Sequence, residues 1–99
     1  QTVEQLQVRN NKTGAVTALP VSGVFIYVGM LPNTEFLQGF VKLDQWGYIE
    51  AGEDTVTSAP GVFAAGDIRT KGLRQIVTAV ADGAVAAMGA ERYLGKLGL

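Results

Sequence analysis

The chain has 99 residues, of which 47% are hydrophobic and only 17% are charged. This apolar content is high for a small free-standing domain, so we expect neighbouring protein to cover part of the apolar surface. The net charge of −1 is scattered and argues against nucleic acid or anionic membranes as partners, while zero cysteines and zero histidines exclude disulfides, a thiol redox pair and the usual metal ligand.

No apolar stretch approaches the roughly 20 residues that a membrane-spanning helix needs, and no basic-then-apolar leader begins the chain. These features predict a soluble, cytoplasmic protein with no membrane partner. Glu50, Glu53 and Asp54 lie in a glycine-containing loop, which favours a solvated turn over a metal site. The sequence therefore contains no self-contained catalytic residues.

The first part of the chain predicts a β-hairpin. Residues 3–9 alternate between two faces, residues 10–14 form a polar turn, and residues 15–19 return as the second strand. Pro20 then interrupts the pattern.

A continuous β-branched and aromatic run, residues 24–28, predicts a strand that is buried on both faces. Gly29 ends this strand. A Pro-Asn-Thr turn that contains Asn33 follows, and it is suited to begin a short helical turn at residues 35–37.

Two further short strands are predicted at residues 41–43 and 48–50. The loop that joins them contains Gly47 at a position where a positive φ is expected. Trp46 and Tyr48 in this hairpin are interpreted as packing or dimer-surface residues rather than as stacking platforms for a ligand.

Residues 62–65 follow a Pro-Gly turn and predict a buried strand that leads into Gly66 and Asp67. A carboxylate at the carboxyl end of such a strand can accept hydrogen bonds from two sugar or ribityl hydroxyls, and the glycine lets a ligand approach the backbone. The alternative is that Asp67 caps the next segment or pairs with Arg69 or Lys71.

Apolar residues at spacings of three and four predict a long helix from Leu73 or Arg74 to about Leu94, stopped by Gly95. Glycine and alanine dominate residues 83–90, although a glycine inside a helix costs about 1 kcal/mol relative to alanine. These small side chains would be explained either by tight packing of the helix on any sheet or by the close approach of elements from outside this chain.

The chain contains, in this order, the segments GVFIYVGMLPNT (23–34), LDQWGYI (43–49), TSAPGVFAAGD (57–67) and RQIVTAVADGAVAA (74–87). Four similar segments occur in the same order in low-molecular-weight thioredoxin reductases. The chain thus resembles these FAD-dependent pyridine nucleotide-disulfide oxidoreductases over nearly its whole length.

The resemblance implies an α/β fold: the second half of a Rossmann-like FAD domain, with β-hairpins, a central parallel strand and a long C-terminal helix, plus the end strands of the NADPH domain. Residues 1–28 would be the end of the NADPH-binding domain and the return crossover, and residues 29–99 the C-terminal half of the FAD-binding domain. The implied cofactor-binding residues are Asn33, Gly66, Asp67, Arg74, Gln75 and Ile76.

Within this site, the resemblance assigns Asp67 to the ribityl or sugar hydroxyls of FAD. Arg74 and Gln75 lie at the amino end of the long helix, which in the family points at the flavin N1 and C2 carbonyl. Backbone N–H groups of Gln75 and Ile76 would stabilise negative charge there. Outside this motif, Arg74 would be expected to form only a surface ion pair, and Asn33 to serve only its turn.

Complete enzymes of the family also carry two glycine-rich dinucleotide fingerprints and a Cys-x-x-Cys pair, none of which occurs in this chain. We therefore expect a fragment that is inactive alone. In full, the enzyme would pass electrons from NADPH through FAD to the disulfide of thioredoxin. Uncovered strand edges and an apolar helix face also predict a homodimer.

Three alternatives remain. The flavoprotein component of alkyl hydroperoxide reductase and ferredoxin-NADP reductases share the GVFAAGD stretch, although Leu73-Arg74-Gln75 fits the thioredoxin reductase pattern best. A non-catalytic, self-associating structural module would be colourless. A small sugar-nucleotide binder would need a phosphate-binding glycine loop that the sequence lacks.

Overall fold

The computed structural model describes residues 2–99, which form two compact units: one ends at Met30 and the other is Leu31–Leu99. The secondary structure is of α/β type, with one two-stranded sheet, two short 3₁₀ helices and one long α-helix. None of the helices in residues 2–99 is long and apolar enough to cross a bilayer.

The first unit contains the predicted β-hairpin. Strand β1 (Gln5–Arg9) pairs antiparallel with β2 (Val16–Pro20), which extends one residue further than predicted. The Asn10 side chain organises the turn, because its Oδ1 accepts hydrogen bonds from the N–H groups of Lys12 at 2.8 Å and Thr13 at 3.1 Å. The hairpin prediction is therefore confirmed. The hairpin was predictable because all of these interactions join residues that are close in sequence.

The predicted buried strand at residues 24–28 does not form. Neither a strand nor a bridge is present there, and Tyr27 and Val28 are 90% and 89% exposed. The rings of Phe25 and Tyr27 stack with centroids 6.5 Å apart. The prediction is wrong for this chain because burial of a strand requires neighbouring strands, and no segment of residues 2–99 pairs with this one.

The second unit has a small core around its predicted hairpin. Leu43 and Ile49 form an antiparallel bridge, and Gly47 between them has the expected positive φ of 88°. Ile49 also forms a parallel bridge with Arg69, which joins the hairpin to the segment before the long helix. The buried hydrophobic residues are Val41, Ile49, Ala51 and Ala64.

The predicted strand at residues 62–65 is reduced to one antiparallel bridge, between Val56 and Phe63. Ala64 N–H donates to the Thr55 carbonyl at 2.8 Å, and Ala64 is buried in the core. The segment is therefore anchored on one side, but it is not the central parallel strand that was predicted. Such a strand needs partners on both sides, and residues 2–99 supply only an antiparallel contact.

The long helix α1 spans Ile76–Lys96. It begins later than predicted because Gln75 is extended, with φ −145° and ψ 158°, and serves as the N-cap. It also continues through Gly95, where a stop was predicted. The helix ends at Lys96, and Gly98 beyond it adopts a φ of 78°, a left-handed conformation that favours glycine at helix ends.

Two glycines of α1 are expected to respond to alanine substitution with opposite signs. A Cβ on Gly89 would lie 2.7 Å from Phe63 Cε1, so Gly89→Ala should destabilise the fold by about 1 to 3 kcal/mol. Apart from its chain neighbours and the backbone of α1 itself, no described atom comes within 4 Å of a Cβ on Gly83, so Gly83→Ala should stabilise the helix by about 0.5 to 1 kcal/mol. Urea unfolding of the 99-residue chain, followed by helical circular dichroism, measures both changes. Equal effects of the two substitutions would contradict this packing.

Candidate cofactor site

The candidate site centres on a tight turn that presents Asp67. Gly66–Ile68 forms a 3₁₀ helix, and Gly66 at its start is buried with a positive φ of 85°. Asp67 is exposed, and its carboxylate makes no hydrogen bond or ion pair with any of residues 2–99. The alternative in which Asp67 pairs with Arg69 or Lys71 is therefore wrong, because both cations lie against another carboxylate.

That other carboxylate belongs to Asp82, which α1 places beneath the turn. Asp82 is 5% exposed, and its Oδ2 accepts hydrogen bonds from the Gly66 N–H at 2.9 Å and Arg69 Nε at 2.8 Å. Its Oδ1 accepts a third from Arg69 Nη2 at 2.7 Å, and Lys71 Nζ lies 2.7 Å from Oδ2. Four donors from the turn and the loop that follows it thus converge on one helical side chain.

The charges in this cluster are strongly coupled. Hydrogen bonds from Arg69, followed by those from Lys71 and the Gly66 N–H, hold the pKa of the Asp82 carboxyl well below its usual range, although burial opposes this shift. The hydrogen bond to Asp82 in turn raises the pKa of Arg69. Arg69 is only 1% exposed, and Glu53 reaches it at 3.6 Å from the solvent side. The cluster therefore stays ionised and fastens the turn to α1.

Arg74 holds the same loop from its outer side. Its Nε donates to the Asp67 carbonyl at 3.2 Å, and its Nη2 donates to the Arg69 carbonyl at 3.4 Å. The guanidinium carbon also lies 3.9 Å from the centroid of the Tyr48 ring. Arg74 thus contacts backbone carbonyls and an aromatic ring, and it forms none of the ion pairs found within residues 2–99.

The start of α1 lies directly after this loop. Gln75 N–H donates to the Thr78 hydroxyl at 3.1 Å, which forms one half of a capping box. Gln75 and Ile76 are both exposed. Because Gln75 N–H already has an acceptor, the N–H groups at the first helical positions, beginning with Ile76, are the ones that lack an acceptor within the helix.

Within residues 2–99, Asn33 forms no hydrogen bond with this loop. It is exposed, and its neighbour Thr34 donates from its hydroxyl to the Gly47 carbonyl at 2.5 Å instead of capping the 3₁₀ helix Glu35–Leu37. Thr34 is connected to the site only indirectly. The Gly47 carbonyl that it binds is followed in sequence by Tyr48, and the Arg74 guanidinium lies over the Tyr48 ring. The short helical turn itself is confirmed.

Asp82 was not singled out from the sequence. One signal could have found it: between residues 75 and 90 the chain contains a single charged side chain, among alanine, valine and glycine. A lone carboxylate on such a helix must be exposed or paired, because an unpaired buried charge is costly. Its partners could not be identified in this way, since they lie 11 to 16 residues away along the chain.

Comparisons with known proteins agree with one another. Residues 1–83 match the family model described as pyridine nucleotide-disulphide oxidoreductase. The chain is 48% identical over 93 residues to the 34.2 kDa protein in the rubredoxin operon of Clostridium pasteurianum, covering 94% of this chain and 30% of that protein. It is 44% identical to a thioredoxin reductase of Peptoclostridium litorale, covering 96% and 32%.

The structure is also similar to that of Lactococcus lactis thioredoxin reductase, with a TM-score of 0.81 at 42% identity. This match covers 94% of the chain and 31% of the other protein. The chain therefore spans about a third of the length of the relatives that it matches.

Proposed function

The chain belongs to the pyridine nucleotide-disulphide oxidoreductase family, and we propose that it forms part of a thioredoxin reductase. Family membership confirms the resemblance predicted from the four sequence segments. We call the longer polypeptide that contains this chain in the proposal the full-length protein. It transfers electrons from NADPH through FAD to the disulfide of thioredoxin. A cytoplasmic location remains part of the proposal.

The observation that carries the proposal is the unpaired carboxylate of Asp67 on a turn fixed from both sides. The Gly66 N–H is bound by Asp82 and the Asp67 carbonyl by Arg74, so the backbone is held while the carboxylate stays open to solvent. Such a group can accept hydrogen bonds from hydroxyls of a ribityl chain without first breaking an internal contact. These residues fit the sugar and ribityl portion of FAD.

The amino end of α1 is proposed to face the pyrimidine edge of the flavin. Its first N–H groups and the positive end of the helix dipole favour negative charge nearby. Gln75 is the N-cap and its own N–H is engaged by Thr78, so the hydrogen bonds would come from Ile76 and the next helical position. When bound, FAD supplies the electron-transfer chemistry, and the protein binds and orients it. Asn33, which forms no hydrogen bond with the Asp67 loop in the described residues, remains a proposed contact of the cofactor.

Assay of the full-length protein tests the proposal. We expect NADPH-dependent reduction of a thioredoxin disulfide that requires bound FAD. A full-length protein that binds FAD and oxidises NADPH but reduces peroxiredoxin-type partners or ferredoxin instead would favour one of the related flavoproteins. A protein without bound flavin or turnover would overturn the proposal.

The 99-residue chain alone is expected to be inert. It contains no cysteine to exchange electrons with a disulfide and no glycine-rich dinucleotide fingerprint for NADPH. NADPH oxidation and disulfide reduction, measured with added FAD, should match the rates without protein. Turnover by this chain alone would show that its active residues have been misassigned.

We also propose that this chain associates with itself, as part of a homodimeric full-length protein. Each of the two units has large apolar side chains that are more than four-fifths exposed, and burial of such side chains between copies of the chain is favourable. Light scattering of the isolated chain should therefore give a mass above that of the monomer, and a monomer across a wide concentration range would contradict this. The side chains concerned are Phe25, Tyr27, Val28, Leu31, Ile76 and Leu99.

A further inference from the structure

We propose that Asp82 is a positioning residue for the cofactor: by binding the Gly66 N–H before Asp67 and the Arg69 guanidinium after it, Asp82 fixes the turn and the direction in which the Asp67 side chain leaves the backbone. This inference rests on the proposed function, since it assumes that Asp67 binds FAD. It adds a buried residue of α1 that contacts the turn on which Asp67 lies.

Asp82 contacts residues on both sides of Asp67 in the sequence. Asp82 binds the N–H of Gly66, the residue immediately before Asp67, and the guanidinium of Arg69, two residues after it. Arg69 in turn donates to the carbonyls of Ala51 and Thr70, so it is itself fixed. With both flanks held, the backbone at Asp67, and with it the direction of the Asp67 Cα–Cβ bond, is set before a ligand binds.

The contact with Gly66 orients an unusual backbone conformation. Gly66 has a φ of 85°, and a Cβ at this position would lie 3.6 Å from Ala79 Cβ, which is ordinary contact. Glycine is therefore favoured here by the backbone dihedral rather than by lack of space. The Asp82 carboxylate receives the N–H that this dihedral turns towards α1.

A neutral amide cannot replace this carboxylate. Both Asp82 oxygens accept hydrogen bonds: Oδ2 from Gly66, Arg69 and Lys71, and Oδ1 from Arg69. In Asp82→Asn, whichever position the amide nitrogen occupies, it meets a donor. At the Oδ1 position the amide nitrogen costs the contact with Arg69 Nη2, and at the Oδ2 position it costs the contacts with the Gly66 N–H, Arg69 Nε and Lys71 Nζ. In either orientation Asp82→Asn weakens the hold on the turn and removes the negative charge that faces Arg69 and Lys71.

The competing interpretation is that Asp82 only neutralises the buried Arg69 guanidinium. In that case a substitution would weaken the fold, and any effect on FAD would be independent of Asp67. A positioning role instead predicts that the effect of Asp82 on FAD depends on the presence of the Asp67 carboxylate. A double-mutant cycle separates the two interpretations.

The experiment is FAD titration of the FAD-depleted full-length protein, comparing the unsubstituted form, Asp67→Asn, Asp82→Asn and the double variant. We expect Asp82→Asn to weaken FAD about tenfold when Asp67 is present and less than about threefold when it is added to the Asp67→Asn variant. Equal factors in both backgrounds would overturn the positioning role alone. Absence of FAD binding by the unsubstituted protein would overturn the proposed function as well.

Arg69→Lys keeps the inference testable if Asp82→Asn does not fold. It retains the charge facing Asp82 but loses the two-pronged guanidinium contact, and it should also weaken FAD about tenfold only when Asp67 is present. Glu53→Gln is the matched control, because Glu53 contacts the same arginine from solvent and does not touch the turn. It should change FAD affinity by less than about twofold. A loss with Glu53→Gln as large as that with Arg69→Lys would overturn the inference.

Discussion

Asp67→Ala in the full-length protein is expected to weaken FAD binding by about tenfold to a hundredfold. Loss of hydrogen bonds to an ionised carboxylate costs about 1.5 to 3 kcal/mol, which corresponds to that range of dissociation constants. The effect should fall on the cofactor rather than on the fold, because the carboxylate has no partner within residues 2–99 whose loss would destabilise the structure. Fluorescence titration of FAD into the FAD-depleted protein measures it.

Glu35→Ala provides the matched control for this substitution. Glu35, like Asp67, is an exposed acidic residue in the first turn of a 3₁₀ helix, so its removal makes a similar change in charge and local structure. We expect it to leave the dissociation constant of FAD unchanged. An Asp67→Ala variant with the affinity of the Glu35→Ala variant would contradict the assignment of Asp67 to the cofactor.

Asp82→Ala is expected to lower the free energy of unfolding of the 99-residue chain by about 3 kcal/mol or more. The substitution leaves the buried Arg69 guanidinium without its bidentate partner and the Gly66 N–H without an acceptor. Urea unfolding followed by the circular dichroism of α1 measures the loss. Lys42→Met, which breaks the exposed pair between Lys42 and Glu50, is the control and should have a far smaller effect.

The stabilisation by Asp82 should also depend on pH in one direction. Because the folded-state pKa of Asp82 is lowered, its contribution is fully present above the unfolded-state value of about 4 and is lost as the pH falls below that value. The difference in unfolding free energy between the unsubstituted chain and Asp82→Ala should thus be constant from about pH 5 to 8 and shrink in more acidic solution. A difference that grows on acidification would contradict the charged state assigned to Asp82.

Elements stabilised by contacts close in sequence were predictable. The hairpin of β1 and β2 and the helix α1 follow from alternation, turn residues and spacings of three and four, all of which act over a few residues. Their ends were less accurate. Extended backbone at Gln75 delays the start of α1, and the helix tolerates Gly95 because a glycine inside a helix costs only about 1 kcal/mol.

Strands that need partners distant in sequence were not predicted correctly. Residues 24–28 and 62–65 have the composition of buried strands, yet the first is exposed and the second forms one bridge. The composition of a segment indicates how well it would fit into a sheet. Whether it pairs depends on the presence of neighbouring strands, and residues 2–99 do not supply them.

Only part of the candidate site was predictable from the sequence. Gly66, Asp67 and Arg74 were identified from their sequence motif, and the structure joins them in one loop. Asp82 was missed because its role depends on a fold that brings α1 beneath a turn 13 to 16 residues earlier in the chain. Asn33 was grouped with them by resemblance, and it forms no hydrogen bond with that loop in the described residues.

Whether this chain contributes part of a flavin site is decided by the FAD content of the purified full-length protein. We expect visible flavin absorption bands and, after denaturation, release of about one FAD per polypeptide. We also expect the Asp67→Ala variant to lose most of its FAD during dialysis, while the Glu35→Ala variant retains it. A colourless full-length protein that takes up no FAD when the cofactor is added would contradict the proposed function.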